Sequence, residues 1–413
     1  MRTARAYLRS LDPQLPRPVW LLQAGGLVNA LGNGLIYPFV LIYLHNVRGI
    51  SLGTAGLVVA TNALVGFVAN PIAGAIVDRV GGRLTLTGSL VVSALGLSLF
   101  PLIDETWHAF AAMAIVGAGV GGFWPGQSTL IAGLIPPERR PAAYSVQRIT
   151  MNLGIGLGGL TGGLIATTDR PGTFTLLFVL DALTCLVFAA VLTRVPEPRL
   201  ETAGQPSGGY LSVLGNRIFL GVIALNALLV ASGYAMIELL GVFAKNEASV
   251  TERGIGLIWL VNTVTIVVAQ LPITKFLEGK RRMRAYLGLG VVWAISWLVV
   301  LAAGAWLEAG AAVLVLALAM LVFGLGECIH GTVQAPLVMD LAPPSLRGRY
   351  VALSATSWSV GFVAGPAIGG FVLDAAPLLL WPGAATVCLL TGWLAIGFER
   401  RLPQRARRSP SQH

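Results

Sequence analysis

The chain has 413 residues, of which 55% are apolar and only 11% are charged, and its mean hydropathy is +0.77. A soluble domain carries about 25% charged residues, so this composition argues against a soluble protein and indicates a membrane protein. The formal net charge is +10, which raises the question of a nucleic-acid partner.

A bilayer core about 30 Å thick requires about 20 apolar residues per spanning helix. Apolar stretches of this kind follow one another along the whole chain. The predicted spans are residues 20–44, 52–77, 84–103, 108–135, 142–167, 172–194, 217–245, 254–277, 285–306, 310–341, 350–374 and 378–399. The first stretch is too long for the core of a signal peptide, so we expect it to remain as a span.

Lysine and arginine lie mostly on one side of this predicted membrane. The exceptions among the 28 basic residues are Arg48, Arg170, Lys245 and Arg253 on the outer side and Arg148 within a span. This asymmetry follows the positive-inside rule and predicts that both termini lie in the cytoplasm. Basic loops placed in this way indicate contact with lipid headgroups and exclude nucleic acid as a partner.

A long polar segment separates spans six and seven and divides the chain into two halves. We predict an N-terminal six-helix half at residues 1–195, a flexible cytoplasmic linker at 196–216, a C-terminal half at 217–400 and a basic cytoplasmic tail at 401–413. The cysteines Cys185, Cys328 and Cys388 lie in apolar spans without CxxC spacing. We expect neither a disulfide nor a metal site.

The two halves repeat each other. Spans five and eleven carry matching glycine runs, and at the same offset Gln127 maps onto Gln334. Glycines spaced four apart let neighbouring helices approach closely, and Gly-Pro permits a bend. This packing motif consists of Gly154, Gly158 and Gly162 in span five and Gly361, Gly365, Pro366 and Gly369 in span eleven. A duplicated half made of apolar helices is typical of secondary transporters; the motif predicts close packing, with or without a gating role.

The segment Gly74-Ala-Ile-Val-Asp78-Arg79-Val-Gly81-Gly82-Arg83, between spans two and three, resembles the G-x-x-x-D-R-x-G-R-R loop of the major facilitator superfamily. The glycine runs are similar to the G-x-x-x-G-P-x-x-G-G motif of its drug:proton antiporters. The resemblance implies an all-α membrane fold of twelve transmembrane helices in two pseudo-symmetric six-helix halves. Gly159 replaces the motif proline and Met113 replaces an arginine of these antiporters, so a coupling scheme based on that arginine is not carried over.

The resemblance also implies a conformational latch formed by Gly74, Asp78, Arg79, Gly82 and Arg83. In the family this aspartate lies near the N-terminus of span eleven, where the positive end of the helix dipole holds it. The contact requires the cytoplasmic side to be closed, so it favours the outward-open state. The alternative is a boundary charge pair that only ends the span.

Substrate and proton chemistry is expected where the halves differ. Ionisable residues inside spans are costly and are functional by default. Those unmatched by the repeat are Glu327 against Val120, Arg148 against Ala355, Asp181 against Cys388 and Glu238 against Leu31. Burial disfavours the charged form of a carboxyl group, which suits a proton carrier. For each residue a purely structural hydrogen bond is the alternative.

Glu327 is the strongest candidate for the proton carrier, with His330 three residues on and on the same helix face. Polar and aromatic residues in the spans predict a substrate cavity. The candidates are Asn29, Asn33, Tyr37, Gln127, Asn152, Asn226, Asn262, Gln334 and Trp358, with Trp124 and Trp259 as further walls.

These features predict a proton-coupled secondary transporter that exports small amphipathic or cationic molecules by alternating access. Acidic residues favour cations as substrates, and Arg148 also permits anions. The alternatives are an importer or uniporter of a nutrient such as a sugar or peptide, and a non-transporting membrane receptor. The run Gly117-Ala-Gly119-Val-Gly121-Gly122 lacks a preceding strand and a Walker lysine loop is absent from the sequence. We therefore expect no enzymatic activity and no cofactor, the proton gradient as energy source, and a monomer in a bacterial-type inner membrane.

Overall fold

The computed structural model describes residues 15–136, 139–198, 210–307, 309–343 and 346–409, and within them the protein consists of helices without a β-strand. Parts of the predicted linker and of both terminal segments lie outside these residues. The twelve long helices are α1 Arg17–Val47, α2 Leu52–Val80, α3 Gly82–Leu99, α4 Thr106–Leu134, α5 Arg140–Ile165, α6 Gly172–Leu192, α7 Arg217–Ala248, α8 Glu252–Leu277, α9 Arg282–Trp306, α10 Ala309–Leu341, α11 Arg347–Ala375 and α12 Pro377–Phe398.

Eleven of the helices in the described part of the chain are long and apolar enough to cross a membrane. Helix α5 has the length, with 26 residues, but its glycines and polar side chains lower its hydropathy. The sequence predicts an ordinary apolar span here. The structure shows a more polar helix that packs on α1 of its own half and on α8 of the other half. Low hydropathy is tolerated in a spanning helix when its polar side chains face protein or a cleft instead of lipid.

The first helix of each half is interrupted by a π-helical turn. In α1 the α-helix ends at Ile36, Pro38 follows, and Tyr43–Val47 forms a π-helical turn. In α7 a π-helical turn covers Val230–Tyr234, before the helix continues from Met236. Such turns commonly mark functional positions in helices.

The same helix pairs pack in each half. Within the N-terminal half α1 contacts α5 and α6, α2 contacts α4, and α3 contacts α4 and α6. In the C-terminal half α7 contacts α11 and α12, α8 contacts α10, and α9 contacts α10 and α12. The halves are therefore two copies of one six-helix arrangement. Across their boundary α2 packs against α11, and α5 packs against α8.

Glycines allow both kinds of contact. On one face of α5, Gly154, Gly158 and Gly162 meet the backbone of α1, where a Cβ atom at Gly154 would lie 2.8 Å from the carbonyl oxygen of Leu27. On another face Gly163 meets the backbone of α8, and a Cβ there would lie 2.5 Å from the carbonyl oxygen of Glu252. One helix therefore packs closely on its own half and on the other half.

Helix α11 repeats this arrangement in the C-terminal half. The motif residues Gly361, Gly365 and Gly369 face Val230, Ala235 and Leu239 of α7. Pro366 and Gly370 face the start of α2 across the boundary.

This packing corrects the pairing of Glu238 with Leu31 in the sequence repeat. Gly158 lies against Leu31, and its repeat equivalent Gly365 lies against Ala231. Leu31 therefore corresponds to Ala231, and Glu238 lies about two turns further along α7. The offset that relates α5 to α11 fails in the first helices, because the segments joining these helices differ in length between the halves.

We call the end of the bundle where α6 ends and α7 begins the linker face, and the opposite end the distal face. The halves touch near the distal face: Asn46 donates to Asn246 at 2.9 Å, and the backbone N–H of Thr168 donates to Glu252 at 3.0 Å. On one face of α2, Gly56 near the distal face meets the carbonyl oxygen of Pro366 in α11, whereas a Cβ atom at Gly74, about five turns further towards the linker face, would meet no atom within 4 Å. The two halves thus close on the distal side and part on the linker side.

The linker face of the C-terminal half is covered by the chain after α12. Arg282 is fully buried, its Nη2 lies 2.6 Å from Oδ2 of Asp340, and its Nη1 donates to the carbonyl oxygen of Ala406. The backbone N–H of Ser409 donates to the carbonyl oxygen of Lys280 at 2.9 Å. The start of the predicted basic tail is therefore packed against the loop between α8 and α9.

Candidate functional site

Glu327 lies between the two halves near the middle of α10. The side chain is half-buried, and its Oε2 accepts a hydrogen bond of 2.7 Å from Nδ2 of Asn262 in α8. Asn262 also reaches the carbonyl oxygen of Met320 in α10. The structure thus brings together two residues that the sequence proposed separately, one as a proton carrier and one as a substrate ligand.

His330 faces away from Glu327. It is 2% exposed, its Nε2 is 2.7 Å from Oδ1 of Asn226 in α7, and Tyr234 and Trp358 flank the ring at 5.3 and 5.5 Å between centroids. The two residues share a helix but hydrogen-bond to different neighbouring helices. The geometry gives no direct proton path between them, which differs from the expectation that they act together.

On the distal side of Glu327, a contact between the first helices of the halves closes the cleft. The hydroxyl of Tyr37 in α1 donates to Oε1 of Glu238 in α7 at 3.0 Å. The Tyr37 ring packs edge-to-face on Trp259 of α8 with 5.2 Å between centroids. Oε2 of Glu238 is buried and has no hydrogen-bond partner among the described residues. Glu238 is therefore part of the distal closure.

Arg148 extends from α5 towards the C-terminal half. Its Nη2 donates to Oε1 of Gln270 in α8 at 3.1 Å, and the guanidinium lies against Gly331 of α10. The side chain is exposed. Arg148 therefore reaches across the cleft on its linker side, one turn of α10 from Glu327.

The remaining polar candidates divide into two groups. Buried inside the halves are Asn226, which donates to Ser357; Gln127, which accepts from Gln147 at 2.5 Å; Gln334, which accepts from Tyr286; and Asn29, whose Oδ1 has no partner within the described part of the chain. Hydrogen bonding between helices accounts for the first three. Asn33 is exposed, and Asn152 and Trp358 are partly exposed, so these three remain candidates for substrate contact.

Asp181 lies outside the cleft. It is 1% exposed, faces Gly32 of α1 and accepts from Thr184 of its own helix. Its repeat equivalent Cys388 contacts Ser232 at the same place in the C-terminal half. The position therefore belongs to the shared packing of a first helix on a sixth helix, away from Glu327.

The predicted latch is not assembled. Asp78 and Arg79 are exposed and make no hydrogen bond or ion pair with any described residue, and a Cβ atom at Gly74 would meet no atom within 4 Å. The backbone N–H groups of Gly82 and Arg83 instead donate to Glu197, each at 2.8 Å. The predicted latch requires the linker side to be closed. Because that side is open in this structure, Asp78 does not reach its predicted partner at the start of α11.

Sequence reasoning missed Gln270 and Gly331, which position Arg148. Gly331 had a detectable signal, because the repeat places Trp124 at the equivalent position of the N-terminal half. A large residue replaced by glycine beside an unmatched arginine indicates space made for that arginine. Gln270 had no such signal. Among the residues described, no group of three or more metal-ligating side chains occurs.

Two equivalent six-helix halves that meet on one side and part on the other, around a charged and polar cleft, define a multi-pass membrane transporter. The chain belongs to the Major Facilitator Superfamily, whose family model matches residues 24–245 and 223–413. Members of this superfamily carry small-molecule substrates.

Three relatives align over most of their own length. The chain is 26% identical to the MFS-type transporter YttB of Bacillus subtilis, covering 87% of this chain and 89% of the relative. It is 22% identical to a Na(+), Li(+), K(+)/H(+) antiporter of Planococcus maritimus, covering 88% and 89%. It is 24% identical to the multidrug resistance protein MdtH of Yersinia enterocolitica, covering 88% of each.

Solved structures show the same fold at lower identity. A variant of the nucleoside transporter NupG superimposes with a TM-score of 0.77 at 12% identity, covering 92% of this chain and 100% of that one. The peptide transporter POT in complex with sulfate gives a TM-score of 0.74 at 15% identity, covering 95% and 96%.

Proposed function

We propose that the protein is a proton-coupled transporter that exports small amphipathic or cationic molecules by alternating access. The names of two relatives, a cation/proton antiporter and a multidrug resistance protein, agree with this class of activity. We place the linker face in the cytoplasm, because the basic loops lie on that side, and the protein in the inner membrane of a bacterial cell.

The observation that carries the proposal is the position of Glu327. The carboxyl group lies between the halves, is held by Asn262 from α8, and has no acidic equivalent in the repeat. An ionised carboxylate in this position disfavours closure of the linker side, because closure would remove water from its charge. A proton or a cationic substrate on Glu327 removes that cost. The carboxylate of Glu327 binds either a proton or a cationic substrate, but not both. Entry of a proton is therefore coupled to export of the substrate.

The distal closure supplies the second requirement of this cycle. Tyr37 and Glu238 connect the halves on the distal side, while the linker side is open to water and substrate. When the linker side closes around an occupied Glu327, the distal contacts separate and the occupant leaves on the other side. One polar site therefore serves both openings, as alternating access requires.

The test is uphill transport in proteoliposomes under an imposed pH gradient. Glu327→Gln keeps the shape and the hydrogen bond of the side chain but cannot titrate, so we expect pH-driven accumulation of a lipophilic cation to be lost. The control Asp169→Asn changes an exposed acid of the distal face and should leave accumulation unchanged. Undiminished uphill transport by Glu327→Gln would contradict the proposal. A protein that catalyses no flux of any substrate would instead be a receptor.

A further inference from the structure

Arg148 is held in a defined position by groups that carry no negative charge. Nε2 of Gln270 donates to the carbonyl oxygen of Cys328 at 3.3 Å and to Oγ1 of Thr332 at 3.2 Å. The amide orientation is fixed by the carbonyl group, which only accepts hydrogen bonds. Oε1 of Gln270 is therefore turned towards the cleft, where Arg148 donates to it.

Gly331 gives the guanidinium its place on α10. A Cβ atom at residue 331 would lie 2.6 Å from Nη2 and 3.0 Å from Nη1 of Arg148. Any other residue at this position would push the arginine away from α10. The C-terminal half thus provides a shaped seat, made of Gln270 and Gly331, for an arginine of the N-terminal half.

Arg148 makes no direct contact with a carboxylate of the described residues. Among the described residues no carboxylate oxygen lies within 4.0 Å of its guanidinium. Glu327 is within electrostatic range, but its carboxylate is bonded to Asn262. A guanidinium has five N–H donors in a planar fork that matches a carboxylate. The hydrogen bond to Gln270 uses one of these donors, and the side chain is exposed.

We infer that the transported molecule carries a carboxylate, which Arg148 binds, in addition to the cationic group that Glu327 takes. The inference rests on the proposed function and specifies its substrate class as amphipathic zwitterions. Gly331 and Glu327 are four residues apart, and side chains so spaced on a helix lie about 6 Å apart. The two charges of the substrate are therefore separated by several bonds, with an apolar body between them.

Exposed or partly exposed apolar side chains occur in α5 and in α11. Ile149 and Leu153 of α5 are 56% and 42% exposed beside Arg148. In α11 of the opposite half, the Trp358 ring lies 4.8 Å from the Tyr234 ring at an angle of 43°, and Trp358 is partly exposed. An aromatic or aliphatic spacer between the two charges would pack on these surfaces.

The experiment compares three matched probes by ligand-induced thermal shift of the purified full-length protein in detergent. The probes are 4-(aminomethyl)benzoate with both charges, 4-methylbenzylamine with the cation alone and 4-methylbenzoate with the anion alone; a second trio replaces benzene by naphthalene. A hydrogen-bonded ion pair should make the zwitterion bind about tenfold tighter than the amine. Arg148→Gln should remove that advantage, so that the zwitterion and the amine bind equally tightly. Arg148→Lys should retain part of it, because the charge remains but the fork is lost.

Arg170→Gln is the matched control, since Arg170 is exposed on the distal face and should keep the wild-type preference. Equal binding of zwitterion and amine to the wild type, an unchanged preference in Arg148→Gln, or no shift with either trio would overturn the inference. If Arg148 only braces the two halves, Arg148→Gln will lower the Tm without ligand and leave the preference intact.

The binding assay needs no gradient, so its failure is separable from failure of the proposed function. A zwitterion that binds through Arg148 but shows no pH-driven flux in liposomes would contradict proton-coupled export only. A cation that is driven by the pH gradient and gains nothing from a carboxylate would contradict the role of Arg148 only.

Discussion

Glu197 and Glu399 make similar contacts with arginines in the two halves. Each follows the sixth helix of its half, and each contacts an arginine at the start of the third helix of that half: Glu197 lies 4.0 Å from Arg83, and Glu399 lies 3.4 Å from Arg281. The glycine before each arginine segment, Gly81 or Gly279, has a positive φ. An acid–arginine contact therefore lies on the linker face of each half.

Replacing Glu197 should destabilise the N-terminal half. Its carboxylate accepts two backbone N–H groups at the start of α3, which are otherwise without helical partners. For Glu197→Gln we expect a loss of about 1–2 kcal/mol of stability, seen as a Tm lower by a few degrees. Glu247→Gln, at an exposed acid of the distal face, is the control. Equal Tm values for the two variants would show that Glu197 contributes nothing to the fold.

Tyr37→Phe should loosen the distal closure. The phenyl ring keeps the packing on Trp259, but the hydrogen bond to Glu238 is lost. We expect about 0.5–1.5 kcal/mol less stabilisation of the distally closed state. Spin labels at residues 169 and 247, which are exposed on the distal face of opposite halves, would report a larger population of long distances. A distance distribution identical to that of the unmodified protein would assign Tyr37 to packing alone.

Gly158→Leu should damage the fold of the N-terminal half. A Cβ at this position would lie 2.8 Å from Cα of Gly34, and a leucine would force α5 away from α1. Overpacking of this kind costs about 1–3 kcal/mol or more. Gly88→Leu is the matched control, because Gly88 of α3 has no atom within 4 Å of its Cβ position. Membrane yield and Tm should fall for the first variant only; normal yield of both would contradict the packing role of the motif.

Asp78→Asn should shift the protein towards the state that is open on the linker side. The latch hypothesis attributes stabilisation of the closed linker side to this carboxylate. A single cysteine at Ile72, which is exposed here, would then react faster with a polar thiol reagent in the Asp78→Asn background. Asp104→Asn, on the distal side, serves as the control. An unchanged reaction rate would reduce Asp78 to a boundary charge that ends α2.

The sequence was sufficient for the architecture, because lipid imposes helix length and hydropathy directly. It also predicts functional roles for Glu327 and Arg148, since both break the repeat. It was insufficient for their partners. The contact of Tyr37 with Glu238 joins helices from different halves, and nothing in local composition specifies which pair meets.

The hydrogen-bond partners that the sequence could not specify are set by neighbouring helices. His330 is three residues from Glu327, yet the neighbouring helix decides its partner, and that helix supplies Asn226. Gln127 and Gln334 are matched by the repeat, and both proved to be buried in hydrogen bonds within their halves. A residue that occurs at the same position of both halves is expected to belong to their common framework. The match between Gln127 and Gln334 is therefore an argument against a substrate role for them.

At the interface between α5 and α8, glycines bring the main chains of the two helices into direct contact. At Gly163 and Gly256 the two helices approach closely enough that a methyl group on either would collide with the other. Surfaces of this kind have few interlocking side chains that must change rotamer when one half rocks against the other. One helix can therefore move against the other with little repacking of side chains. A side chain added at Gly163 or Gly256 should therefore hinder this rocking and slow the transport cycle.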